Sequence, residues 1–316
     1  MLFENLLEQA ARTGAAAHRK SHLDRNPLSG QTKVRILYKP NEAMKRVHWR
    51  LINYIRELRR GHISEYTAPF SLSPLKNLQR HRRARFFWLL DIQHAYERVD
   101  LDRLVEVLAH FDPFVIGQEA AVREFLEKYC FSNEGGLATG ACASPDLFNI
   151  YVGKLVDEPL WQFLRAYASK TGDEIRYSRY IDDLTLSAQQ RPWGASVRRN
   201  VKRIVAAAGL PLHRRKVSPS LDLRRGPILI TGLRLAWPGR IFIPRHYLQL
   251  FRNRLRTAIR EVQLEGDFSI QKLGGMNGVF RSGLAAGQKL TRQEEDVAFL
   301  WQEYRRLWKT FNKRQH

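Results

Sequence analysis

The chain has 316 residues, with 53 Lys and Arg against 31 Asp and Glu, so its formal net charge is +22. At about 150 residues per domain this length predicts two units, or one with a large appendage, and 44% hydrophobic content excludes wholesale disorder. Cys130 and Cys142 are too few for a disulfide framework or a four-cysteine zinc site, which predicts a reducing, cytoplasmic setting. No apolar run reaches the roughly 18 residues of a membrane span, and MLFENLLEQAARTG lacks the pattern of a secretory signal.

In chain order, residues 1–20 predict a helix and residues 21–33, with Pro27 and Gly30, a loop. VRILY at 34–38 predicts a short strand, and residues 43–60 a basic amphipathic helix with Val47, Leu51, Tyr54 and Leu58 on one face. Residues 61–79 read as irregular. FFWLLDI at 86–92 is a short apolar run ending in a carboxylate, as expected of a buried strand. Helices are predicted over 100–110, 118–130 and 145–169, the last entered from the Gly-rich loop EGGLATGACASP. RYSRYIDDLTLSA at 176–188 predicts strand, tight turn and strand. A helix over 195–208 closes at Gly209 and Pro211. PILITGLRLA and GRIFIP predict one hairpin around Trp237-Pro238-Gly239, and everything after Pro244 reads as helical. The best division of the chain falls near residue 244.

The positive charge is interleaved with apolar residues rather than gathered in a tail. KRVHWRLINYIRELRR, RHYLQLFRNRLRTAIREVQL and the C-terminal VAFLWQEYRRLWKTFNKR, with RHRRAR at 80–85 and LHRRK at 212–216, predict a broad basic surface. Such a surface neutralises phosphates, so a nucleic acid is the expected partner and no membrane is. The ten histidines show no paired metal spacing, which argues against zinc. Trp88, Trp301 and Trp308 are better read as core than as base-stacking platforms, and Cys142 as a small space-filler.

The acidic residues are fewer and more telling. Asp182 and Asp183 follow Tyr180-Ile181, with strand-like apolar arms on both sides, so a hairpin would carry both aspartates at its tip. Neighbouring carboxylates repel unless a cation lies close, although an exposed Asp-Asp turn is also common. Asp91 ends the run FFWLL, where it would lie at a site mouth or equally cap a following helix. Together the three could hold two Mg²⁺ ions about 3.5–4 Å apart for in-line displacement at phosphorus.

The ordered set of motifs over residues 34–235 resembles reverse transcriptases, in particular the bacterial retron-like and phage-defence group. Asp91 to Tyr96 resembles the first palm motif, Gly136 to Pro145 the second, Tyr180 to Asp183 the Tyr-x-Asp-Asp motif, and Lys216 the lysine of the next. Ile230-Thr231-Gly232 is similar to the Val-Thr-Gly feature of retron enzymes, and Asn77 to His81 to their Asn-Ala-x-x-His element. The implied fold is α+β with right-hand polymerase architecture: N-terminal helices and fingers over 1–85, a palm with antiparallel sheet over 86–244, and a helical thumb over 245–316.

The resemblance further implies that Asp91, Asp182 and Asp183 are catalytic and that these three with Ile92 hold two Mg²⁺ ions, or Mn²⁺ in their place. Tyr96 would lie under the incoming sugar and exclude a 2′-hydroxyl, with Thr139, Gly140, Tyr180 and Lys216 completing the nucleotide site. Gly140 would let backbone approach the base pair. Lys39, Lys45, Arg46, Arg50, Arg82, Arg83, Arg252 and Arg256 would contact nucleic acid, and the hairpin at 227–243 would grip the primer. Implied partners are a structured non-coding RNA as template and primer, deoxynucleotides, a DNA product, and an effector protein or second copy. Ala138-Thr139 replaces the usual Pro-Gln pair of the second motif. At this length no nuclease, integrase or maturase domain is expected beside the polymerase. Rival readings are a template-independent or RNA-synthesising polymerase of the same fold, and a non-catalytic RNA-binding module.

Overall fold

The computed structural model describes residues 3, 6–7, 17–25, 32–58, 73–190, 193–213, 220–265, 270–285 and 291–314. Strand β1 (Ala17–Arg25) pairs antiparallel with β2 (Thr32–Pro40) along its whole length, from Ala17 opposite Pro40 to Arg25 opposite Thr32. This corrects both the helix expected through residue 20 and the loop expected over 21–33. AHRKSHLDR has no alternating apolar pattern of its own; it is extended because β2 supplies a partner, and strand preference is largely such context.

Helix α1 (Glu42–Leu58) begins where Asn41 Oδ1 accepts from the Met44 amide at 2.8 Å, satisfying one of its first free N–H groups. Met44, Val47, Leu51, Tyr54 and Ile55 form its buried stripe. A short helix, α2 (Pro74–Gln79), capped by Ser73, occupies part of the segment read as irregular.

The central sheet is four-stranded and antiparallel, in the order β4 (Ile175–Tyr180), β5 (Asp183–Ala188), β3 (Phe86–Asp91), β6 (Leu221–Asp222). It divides two hydrophobic clusters. Trp88 and Leu90 of β3 face the first, with helices α1, α3 (Leu101–Phe111), α4 (Glu119–Cys130) and α5 (Ser144–Val152). Phe87 and Leu89 face the second. This is the two-sided alternation that a sheet covered on both faces requires. Trp88 lies in the first core, as its sequence context suggested.

The single helix expected over 145–169 is interrupted. After α5 the chain runs through a π-helical segment, Gly153–Asp157, before α6 (Glu158–Thr171). Pro159 explains the break: in a continuous α-helix its ring would strike the carbonyl four residues earlier, and a wider turn relieves this. The π segment ends on Asp157, which is completely buried. Helix α7 (Ala195–Ala207) follows the sheet.

PILITGLRLA is not one strand. It folds back at Thr231-Gly232, both at positive φ (48° and 86°), giving β7 (Ile228–Ile230) and β8 (Leu233–Ala236), to which β9 (Arg240–Phe242) adds. The unit is therefore a three-stranded sheet rather than one hairpin. The helical rear comprises α8 (Arg245–Glu265), α9 (Ile270–Leu284) and α10 (Arg292–Arg314). Leu233, Ile241, Phe251, Phe280 and Tyr304 share one cluster, so the core runs unbroken across residue 244. Trp301 packs on Phe251 and Tyr304. Among the described residues, no helix is long and apolar enough to cross a membrane.

Candidate active site

The three aspartates meet at one end of the central sheet. Asp91 is the last residue of β3 and lies directly opposite Asp183, the first residue of β5. In an antiparallel pair, directly opposed side chains share a face with Cβ atoms about 4.5–5.5 Å apart. Ile181 and Asp182 form the two-residue turn between β4 and β5, so only Asp182 is at the tip and Asp183 already belongs to a strand. The Ile92 amide donates to the Asp182 carbonyl at 3.0 Å, tying the turn to the end of β3. No helix follows Asp91 directly; Asp100 caps α3 instead, which removes the capping reading of Asp91. Asp91 is buried and Asp182 and Asp183 half-buried.

Two opposed carboxylates with a third beside them fit a hard divalent cation, because such a cluster is costly unless positive charge lies between its members. Among the described residues no group of three or more His, Cys, Asp or Glu side chains is arranged to hold a metal ion; an ion at this end of the sheet would have to draw further ligands from phosphate oxygens and water.

Arg179 holds the turn from beneath. It is fully buried, as is Asp157, and the two are joined by a forked ion pair with Nη2–Oδ2 at 2.8 Å and Nε–Oδ1 at 3.0 Å. Nη1 donates to the Ile181 carbonyl at 2.8 Å and to Asn149 Oδ1 at 3.1 Å. The Tyr177 hydroxyl donates to Asp157 at 2.6 Å. Burial works against the Arg179 charge, but Asp157 outweighs it and keeps the guanidinium firmly protonated. Ile181 sits at φ 58°, a conformation unfavourable for a β-branched residue, so the surrounding contacts must sustain it. Arg179 and Asp157 escaped the sequence reading. The available signal was strand parity: Arg179 alternates in phase with Tyr177 on the face that meets the core.

On the opposite face, Asn77 and His81 form a second buried chain. His81 Nε2 lies 2.6 Å from Ser178 Oγ, and Nδ1 lies 2.6 Å from Ser187 Oγ. Ser178 donates to Asn77 Oδ1 at 2.6 Å. Because the Ser178 proton is committed to Asn77, His81 donates from Nε2 and accepts at Nδ1 from Ser187. Burial, then Arg80 and Arg176, depress the imidazole to about 3, so it is neutral. The chain fastens the α2 segment to both arms of the aspartate hairpin.

The Gly-rich loop lies alongside. Leu137 donates to the Tyr96 carbonyl at 2.8 Å, and Ser144 Oγ to the Ala138 carbonyl at 2.7 Å. Gly140 has φ 100°, and a Cβ there would stand 2.7 Å from the Tyr38 carbonyl. The close approach this glycine permits is thus to strand β2, where Tyr38 also donates to the Thr139 carbonyl at 2.8 Å. Tyr96 packs edge-on against Phe148. Burial, with Asp182 and Asp146 nearby, pushes its phenol up to about 12. Tyr180 is likewise raised, by burial and then by Asp183.

Among the described residues, the basic side chains divide into exposed ones and ones held by a partner within the fold. Lys39, Arg46, Arg83 and Arg256 are exposed and Arg50 half-exposed. Lys45 pairs with Glu42 at 2.6 Å. Arg82 Nε donates to the Gly239 carbonyl at 2.8 Å, joining the 80–85 segment to the β8–β9 turn. Arg252 reaches Asp296 at 3.4 Å and so ties α8 to α10. Lys216 and the Trp308 side chain lie outside the described residues.

An antiparallel sheet that presents three aspartates at one end, flanked by a strand hairpin and a helical bundle, defines the right-hand polymerase class. The family model described as reverse transcriptase (RNA-dependent DNA polymerase) matches residues 24–239, and the chain belongs to that family. It is retron-like. It is 27% identical over 210 residues to the retron Ec86 reverse transcriptase of Escherichia coli, covering 64% of this chain and 59% of that protein. It is 24% identical over 164 residues to the retron Ec83 reverse transcriptase of Escherichia coli, covering 50% and 49%. The chain thus spans between half and three-fifths of the length of these relatives. Telomerase from Candida albicans, solved with the TWJ fragment of telomeric RNA, shares the fold at 12% identity and TM-score 0.52, over 98% of this chain and 59% of that one. Apo telomerase from Candida tropicalis does so at 12% identity and TM-score 0.50, over 99% and 63%.

Proposed function

We propose that this protein is an RNA-directed DNA polymerase that adds deoxynucleotides to a primer on a structured non-coding RNA. The observation that carries the reading is the register of Asp91 opposite Asp183, with Asp182 in the turn between β4 and β5. Palm, fingers and thumb would follow the boundaries 86–244, 1–85 and 245–316. Asp91, Asp182 and Asp183, with the main chain at Ile92, would hold two Mg²⁺ ions. When bound, such ions activate the primer 3′-hydroxyl and neutralise the triphosphate. The chain's own residues do the placing. Arg179 fixes the turn that carries Asp182, and the Asn77–His81 chain fixes the two arms. Tyr96, braced by Phe148, would lie under the incoming sugar, beside Thr139 and Tyr180.

The exposed cations Lys39, Arg46, Arg50, Arg83 and Arg256 would contact phosphates, and Lys216 the triphosphate. The likeness to retron enzymes supports a cytoplasmic role in bacterial antiviral defence, with an effector protein or second copy as partner. Plating of phage on cells with and without the native locus tests that role.

Primer extension with each nucleotide set, with and without template RNA, tests the activity. Template-dependent use of deoxynucleotides is expected, and Asp182→Asn with Asp183→Asn should abolish it while leaving RNA binding intact. Unchanged synthesis in that double variant would overturn the assignment of the aspartates. Synthesis without template, or from ribonucleotides alone, would transfer the protein to a different polymerase activity of the same fold.

A further inference from the structure

The cationic segment RHRRAR is split by the fold. His81 is buried and neutral, Arg82 is bound to the Gly239 carbonyl, and Arg85 forms a forked ion pair with Asp222 at 2.8 Å. Arg80 and Arg83 remain, exposed and without an acidic partner among the described residues. They line two adjoining clefts beside β4, the edge strand of the central sheet. The larger, about 390 Å³, has Leu164 and Tyr177 in its walls and Arg80, Arg165, Arg176 and Trp161 around it. Its one acid, Glu174, is already engaged by Arg176 at 3.1 Å. Arg165 lies over the Trp161 ring at 4.5 Å, forming a flat cationic platform. The smaller cleft, about 220 Å³, adds Arg83 and Gln189 beside Asp173.

This surface is remote from the aspartates. Arg176 opposes Ser187 and Tyr180 opposes Asp183, so four residues of strand, about 13 Å, separate the two ends. That exceeds the roughly 8 Å over which exposed charges act at physiological ionic strength. The arginines therefore contribute little to the field at the catalytic end.

We propose that this edge of the sheet is a second RNA-contact surface. Arg80 and Arg83 hold the phosphate backbone of a folded RNA, and the Arg165–Trp161 platform stacks one unpaired base. Guanidinium groups suit phosphate oxygens, and an aromatic face accepts any base. The surface would retain a long RNA outside the cleft while its end is copied. The proposal draws on the polymerase reading only for the presence of an RNA, and binding is measured without synthesis.

The test compares wild type with Arg80→Gln/Arg165→Gln on two probes, a short RNA–DNA hybrid and a folded RNA several times longer. For the long RNA, affinity should fall at least tenfold. The slope of log affinity against log salt should shrink by about 0.7–0.9, as expected for one lost phosphate contact. Extension of the short hybrid should stay within twofold. Trp161→Ala should weaken the long RNA further and Trp161→Phe restore it. Unchanged affinity and slope, or an equal loss on both probes, would overturn the proposal. A wild-type protein that binds the long RNA through these residues yet extends no hybrid would sink the polymerase reading and leave this surface standing.

Discussion

Arg179 donates to the main-chain carbonyl of Ile181 at 2.8 Å, and so binds the turn of the aspartate hairpin to the helical layer below the sheet. The same guanidinium is locked to Asp157 at the end of the π segment. A break in a helix and a left-handed residue in a turn are thereby two parts of one support.

Removing one member of this pair leaves the other charge buried. Arg179→Met and Asp157→Leu should each cost about 3–5 kcal/mol, read from urea unfolding. The double variant should recover most of that stability, since apolar packing can replace a buried pair. Its primer extension should stay depressed, because the Ile181 carbonyl has lost its donor. Full activity in the recovered double variant would show that Arg179 serves stability alone.

His81 predicts a pH dependence of stability. Its folded-state value of about 3 lies below the usual 6.5, so the unfolded chain binds a proton that the folded chain refuses. The contribution is complete above pH 6.5 and is lost as pH falls towards 3, at about 1.4 kcal/mol per pH unit. His48, also depressed by burial, acts in the same direction. In His81→Gln the acid-side slope should shrink by about one proton relative to wild type. An unaltered slope would place the titration elsewhere.

Gly140→Ala meets the Tyr38 carbonyl at 2.7 Å and also keeps a backbone angle of 100°. Gly117→Ala, at φ 84° with open space around it, isolates the angle alone. The control should lose about 1 kcal/mol. Gly140→Ala should lose more, and its KM for nucleotide should rise as β2 is pushed from the loop. Equal effects at the two positions would mean that the Tyr38 contact carries no weight.

Tyr96→Ala removes the ring braced by Phe148 beside the aspartates. Incorporation of ribonucleotides relative to deoxynucleotides should rise at least about tenfold in competitive extension, on the scale of contacts that discriminate one small group. Unchanged selectivity would remove Tyr96 from the sugar site.

Much of the site was legible along the chain because its parts are local. A short apolar run ending in Asp91 reads as a strand carrying a carboxylate, and the apolar arms around Asp182-Asp183 read as a hairpin. The order of motifs then indicated the reverse transcriptase family. What escaped the reading depends on partners far away in sequence. Arg179 meets Asp157 across 22 residues, and His81 meets Ser178 and Ser187 across 97 and 106. β1 is a strand only because β2 lies against it. The Thr231-Gly232 reversal hid within a run whose apolar pattern continued through it.

The sequence by itself determined a basic, mixed α and β chain with three aspartates in the right order, since charge, periodicity and turn residues are properties of neighbours. Only the tertiary structure decided which cations, among the described residues, face outward and which are bound within the fold. Arg82, Arg85 and Arg179 are bound within the fold, whereas Arg80 and Arg83 face outward. It also decided that Asp183 opposes Asp91. The physical reason is that pairing of charges, and the register of strands, are set by distances through space that separation along the chain does not contain.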